Sequence, residues 1–139
     1  MKIESRLIFF LICIFFTACA GLENPLEEAT PAPWEPLASD AEMQRVEIEQ
    51  FEVEIVPRES DPSLFALRVE GALPTPCYQL RVETSTSDDQ SSLDVEIYAI
   101  VDPNEICIQI LEPFSEEIPL DEGEYRVVVN NEVVGEVPP

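Results

Sequence analysis

The chain has 139 residues, with 29 acids against seven bases, no His and a formal net charge of −22. One Lys, at position 2, and six scattered Arg leave no basic cluster to neutralise phosphates, which excludes nucleic-acid binding. The same absences remove the Ser-His, Cys-His and Ser-Lys pairs of nucleophilic catalysis, so the sequence reads as a non-enzyme that needs no cofactor.

The N-terminus carries the most informative motif. Lys2 and Arg6 make a basic start, Leu7 to Phe16 an apolar stretch, and Thr17 and Ala18 a small-residue approach to Cys19. The stretch is short of the roughly 20 apolar residues that cross a bilayer. Closed by Phe16-Thr17-Ala18-Cys19, the segment resembles a bacterial lipoprotein signal, with an ordinary cleaved secretory signal as the alternative. The resemblance implies that residues 1–18 are removed and that Cys19 carries a diacylglycerol on its thiol and an acyl chain on its amino group. Two or more chains give stable anchoring where one does not. Ala20 stands where many inner-membrane lipoproteins carry Asp. The expected location is the cell envelope, lipid-anchored on the outer side of the cytoplasmic membrane or at the outer membrane.

Beyond residue 18 the imbalance grows. Lys2, Glu4 and Arg6 are gone, leaving 28 acids against five Arg, a formal charge of −23. Such a domain is repelled by anionic lipid, so the membrane is expected as a partner only through Cys19. The acidity reads first as a solubility device, with a salt-rich exterior, a basic partner or a divalent cation as the sharper alternatives. Asp88-Asp89 and Asp121-Glu122-Gly123-Glu124 lack the alternating oxygen-ligand spacing of a calcium loop, and no metal site is expected.

Residues 19–43 read as the lipidated Cys and a linker. Pro25, Pro31, Pro33 and Pro36 recur among acids without an apolar period, which favours extended chain at about 3.1 Å per residue. Trp34, the only tryptophan, is either a docking peg or, as preferred, a side chain folded back on the sheet or lying at the lipid interface. Ser39 to Glu42 has the form of a capping box, consistent with one helical turn.

From residue 44 to residue 139 the apolar period becomes two, punctuated by turn residues, which predicts seven or eight short strands. Phe65, Leu67 and Val69 alternate with polar neighbours, as do Tyr78, Leu80 and Val82. Leu93, Val95, Ile97, Ala99 and Val101 predict a core face opposite Asp94, Glu96, Tyr98 and Ile100. Val46 and Ile48 have the opposite parity to Phe51, Val53 and Ile55, which calls for a bulge near Glu49-Gln50 or a strand that changes sheets.

Leu120-Asp121-Glu122-Gly123-Glu124-Tyr125-Arg126-Val127-Val128-Val129 resembles the run entering a late strand of immunoglobulin-like sandwiches, where the Tyr hydroxyl pins the preceding corner. The resemblance implies an all-β fold, an antiparallel two-sheet immunoglobulin-like sandwich, with Tyr125 and Gly123 at the corner; a small open barrel is the alternative. Asn130-Asn131 suits a tight hairpin into a last strand at Val133 to Val137.

Cys77 and Cys107 are expected to pair in an oxidising compartment, stapling a strand end rather than piercing the core. The sandwich carries no core Trp, unlike an antibody domain. From residue 73 to residue 131 the layout is similar to small exported bacterial lipoproteins without an assigned activity, and that resemblance brings no active site. The functional expectation is a membrane-anchored binding or assembly module whose partner is an envelope protein or a glycan. Contact would fall to loops such as Ser85 to Ser92 and Asp102 to Ile106. The alternatives are an inhibitor of exported proteases, although the loop motifs of one such group are missing, and a structural spacer or coat lipoprotein.

Overall fold

The computed structural model describes residues 30–138. The expected signal, Cys19 and the first part of the linker lie outside the described residues. Eight strands follow a single 3₁₀ turn at Ala38–Glu42: β1 (Gln44–Glu47), β2 (Phe51–Pro57), β3 (Phe65–Leu73), β4 (Gln79–Thr86), β5 (Ser92–Val101), β6 (Glu112–Pro119), β7 (Tyr125–Val129) and β8 (Glu132–Val137). They form a two-sheet, all-β sandwich. One sheet holds β2, β3 and β6 in that order; the other holds β4, β5, β7 and β8, with β1 also paired to β5.

The parity change between Val46 and Phe51 is a change of sheet. Val46 pairs with Ala99 of β5, whereas Phe51 pairs with Gly71 of β3. The chain therefore crosses from one layer to the other at Glu49-Gln50, and each half keeps its own apolar side toward the core. Of the two alternatives the parity left open, the crossing is the one realised.

One pairing departs from the expected all-antiparallel arrangement. Ser92 to Val95 of β5 pair with Arg126 to Val129 of β7 in parallel. Between them the chain leaves for the opposite sheet, runs back along β3 as β6, and returns; a strand reached by such a crossover re-enters its first sheet in the original direction. All the other strand pairs are antiparallel.

The core is a single cluster between the sheets. Leu67 and Val69 of β3 are fully buried, facing Val82, Ile97 and Val127 from the other layer. Removing a fully buried Leu side chain costs about 2–5 kcal/mol. Gly71 lies at one end of this layer between Phe51 and Phe114, its neighbours in β2 and β6. A Cβ there would meet Gln50 O at 2.7 Å, the Phe114 ring at 2.8 Å and Phe51 Cβ at 2.9 Å, so the position fits only glycine.

The face of β5 opposite the core is less exposed than alternation predicts. Tyr98 is 6% and Ile100 is 2% exposed, because residues 31–43, expected as part of a linker, pack on this side of the sheet. The segment begins along the outer edge of β4, where the Trp34 carbonyl accepts a hydrogen bond from Val82 N–H at 3.0 Å. It then passes to the opposite edge of β5, where β1 pairs from Gln44 to Glu47. In doing so it straps the sheet.

Candidate binding surface

Arg81 of β4 projects under the strap and is 2% exposed. Its guanidinium donates to both Asp40 carboxylate oxygens, at 2.7 and 3.1 Å, to Pro33 O at 3.2 Å, to Leu80 O at 2.8 Å and to Gln79 Oε1 at 2.9 Å. A buried guanidinium is tolerated only when its donors are met this fully. Arg81 also holds the Asp40 carboxyl below its ordinary value of 3.8, and the backbone N–H of Leu37 adds to the effect. The turn at Ala38–Glu42 therefore forms, but Asp40 rather than Glu42 reaches back to its start, accepting from Leu37 N–H at 2.8 Å. Trp34 packs partly buried against the core cluster, folded back on the sheet.

Asn130 occupies the gap between β7 and β1 along one edge of β5. Its backbone N–H donates to Val95 O, the last partner of β7. Its side chain then accepts from Ile97 N–H at 2.8 Å and donates to Ile97 O at 3.0 Å. The amide thus replaces one residue of a strand, bridging to Tyr98, where β1 takes over. Asn130 and Asn131 have φ of 46° and 70°, the left-handed pair of a tight hairpin. Reading the sequence for turn propensity found the hairpin but not the side-chain ladder.

At the corner before β7, Gly123 has φ of 141° and the Tyr125 hydroxyl donates to Asp121 O at 2.8 Å. Burial raises the Tyr125 pKa, and the Asp121 charge adds to the shift. In the Ser85 to Ser92 loop, Asp89 Oδ1 accepts from Ser87 Oγ, Ser91 Oγ and Ser91 N–H. These donors hold its pKa down to about 2. Asp89 is engaged in shaping its own loop.

An open groove of about 770 Å³ lies on the outer side of the larger sheet, lined in part by Arg45, Glu83, Glu96, Tyr98 and Asn131. Glu83 and Glu96 are directly opposed across β4 and β5. Arg45 bridges them, at 3.6 Å from Glu83 and in close contact with Glu96, with its guanidinium 3.6 Å above the Tyr98 ring. The groove's cation is thus already engaged by two carboxylates and an aromatic face.

The loop from β5 to β6 is different in kind. Asp102 Oδ1 accepts from Asn104 N–H at 2.8 Å and starts a tight turn. Cys107 is then bonded to Cys77, in the connection between β3 and β4, with 6.0 Å between the Cα atoms. The bond ties two loops at one end of the sandwich and stays out of the core. Around it Ile106 is 98%, Ile108 64%, Ile110 60% and Leu111 65% exposed. Of the six large apolar side chains exposed among the described residues, four fall in these six positions, so the exposure is a local feature and not a general looseness of packing. The sequence reading placed a contact loop at Asp102 to Ile106; the apolar part lies one turn further on, and its alternating Ile residues were the available signal.

Two sheets packed face to face, with exposed apolar side chains gathered on one disulfide-stapled loop, define a small β-sandwich domain. The chain belongs to the ORF11 β-sandwich domain family, whose family model matches residues 67–138. That span runs from β3 to the end of β8, just over half the chain, and leaves the strap, β1 and β2 outside it. Neither the curated proteins nor the solved structures contain a match.

Proposed function

We propose that this protein is a lipid-anchored binding or assembly module of the bacterial cell envelope, without catalytic activity. The observation that carries the reading is the apolar loop at Ile106 to Leu111, held by a disulfide on a domain that is otherwise strongly acidic. Exposed apolar side chains confined to one patch of a polar surface mark contact with a partner. The anchoring half rests on the basic and apolar approach to Phe16-Thr17-Ala18-Cys19, and the lack of His supports a non-catalytic role.

The test expresses the full chain in its host. The mature N-terminal peptide is expected to begin at Cys19 with acyl mass added, and detergent-phase partition is expected to be lost in Cys19→Ser. Affinity capture from solubilised envelope should return a stoichiometric component with the parent chain and lose it with the double variant Ile106→Ser, Ile108→Ser. An unmodified Cys19 sinks the anchor. Equal capture by both chains sinks the contact surface.

A further inference from the structure

The exposed loop between β5 and β6 forms no strand of its own, but its side-chain spacing and its place beside an open sheet edge point to a mode of binding. β6 has a partner, β3, along one edge only. Its other edge is guarded in the usual way, by Pro113 and Pro119 and by Glu112, Glu116 and Glu117, which discourage pairing with another chain. Those guards stop where the chain runs back from Glu112 to Ile106. Ile106-Cys107-Ile108-Gln109-Ile110-Leu111 contains no charge and no Pro. Its one internal backbone bond is a three-residue turn from Ile110 N–H to Ile108 O at 3.1 Å.

In an extended chain alternate side chains share a side. Ile106, Ile108 and Ile110 are all exposed, while Cys107, between the first two, is anchored to Cys77. Extended on from β6, with the turn at Gln109 opened, the segment offers three β-branched anchors at two-residue spacing beside backbone donors and acceptors that join no strand ladder. Strand addition uses this pattern: main-chain bonds supply affinity and alternate side chains fill pockets.

We infer that Ile106 to Leu111 docks by adding as a strand to the open sheet edge of a partner protein that has apolar pockets for the alternate Ile side chains and basic residues at both ends of the edge. This rests on the binding-module reading and specifies its contact. The charge requirement comes from the flanks, Asp102 and Glu105 on one side and Glu112 and Glu116 on the other, Glu117 being paired with Arg68 at 2.9 Å. The same flanks argue against a second copy, since antiparallel self-pairing brings acids opposite acids on chains of net charge −22. They also argue against an anionic bilayer.

The mode is tested with a benzophenone photocrosslinking side chain placed at Ile108 in the full chain and illuminated in the host. The expected adduct is with one protein, at a peptide forming a sheet edge flanked by Lys or Arg. The parent chain is compared with Gln109→Pro and Gln109→Ala, the crosslinker now at Ile106. Proline removes a main-chain donor without changing an Ile anchor, and it keeps Ile108 extended. Adduct yield is expected to fall about tenfold in Gln109→Pro, the loss of one backbone hydrogen bond, and to hold within about twofold in Gln109→Ala.

A melting temperature and an intact disulfide mass matching the parent show that Gln109→Pro folds; if it does not, Ile108→Ser with the crosslinker at Ile106 replaces it. An adduct that Gln109→Pro and Gln109→Ala affect equally overturns strand addition while leaving a binding module in place. Adducts only with a second copy or with lipid overturn the stated partner. No adduct from either position overturns both the strand and the binding-module reading that it specifies.

Discussion

The strap over the larger sheet and the loop between β5 and β6 treat polarity in opposite ways. Under the strap a guanidinium is 2% exposed, whereas on the loop an isoleucine is 98% exposed. Both run against transfer free energy, yet the two departures differ in what surrounds them. Arg81 has five hydrogen bonds from its guanidinium, including two to Asp40, so its burial is compensated inside the chain. Nothing among the described residues covers Ile106. The contrast separates an exception closed by the molecule itself from one left open on its surface.

Breaking the disulfide is the strongest perturbation of the loop. The double variant Cys77→Ser, Cys107→Ser is expected to lose about 3 to 4 kcal/mol in denaturant unfolding, from the entropy of an unfolded chain no longer closed over a sequence separation of 30. An unchanged unfolding midpoint would show that the staple adds nothing beyond loop geometry.

The strap's counterpart is Asp40→Ala, which leaves Arg81 buried without its carboxylate and is expected to cost about 3 kcal/mol at neutral pH. Because Asp40 titrates below its ordinary 3.8 in the folded protein, its contribution is complete above that value and disappears as pH falls through the lower folded pKa. The difference in melting temperature between parent and variant should therefore be constant near neutrality and narrow only in acid below about pH 3.8. A difference independent of pH down to complete acid unfolding would detach the effect from the ion pair. A chain starting at Gln44 lacks Trp34 and Asp40 altogether and should be less stable than one starting at Pro31.

Asn130→Ala removes both side-chain bonds to Ile97 and is expected to cost about 1 to 2 kcal/mol, with backbone protection from hydrogen exchange falling first at Ile97. Protection unaltered at Ile97 would rule out the ladder role. The smallest expected effect completes the comparison. Ile106→Ser with Ile108→Ser should change stability by no more than about 0.5 kcal/mol, because neither side chain is buried in the fold. A loss of several kcal/mol would mean that the loop packs on the domain and is no contact surface.

Much of the sheet layout was legible without coordinates. Alternation at Leu67 and Val69 and at Val95 and Ile97 marked the core faces correctly, and the parity change near Glu49-Gln50 located the crossing between layers. The tight hairpin was legible at Asn130-Asn131 because a left-handed backbone limits which residues serve. Tyr98 and Ile100 were read as facing solvent, since local alternation carries no information about a segment arriving from residues 31–43. The Asn130 side-chain ladder escaped for the same reason: its partner, Ile97, is 33 positions away.

By itself the sequence determined a two-layer β protein, its paired cysteines and its hairpin, because period-two burial and positive φ are short-range requirements and residues 44–139 hold only two cysteines to pair. Only the tertiary structure decided that Pro31 to Met43 is a strap, that β5 and β7 run parallel, and that Ile106 to Leu111 is left without a neighbour. Those outcomes depend on which surfaces meet after the chain has crossed between layers, and the same local pattern is compatible with a covered or an open face until the distant segment is placed.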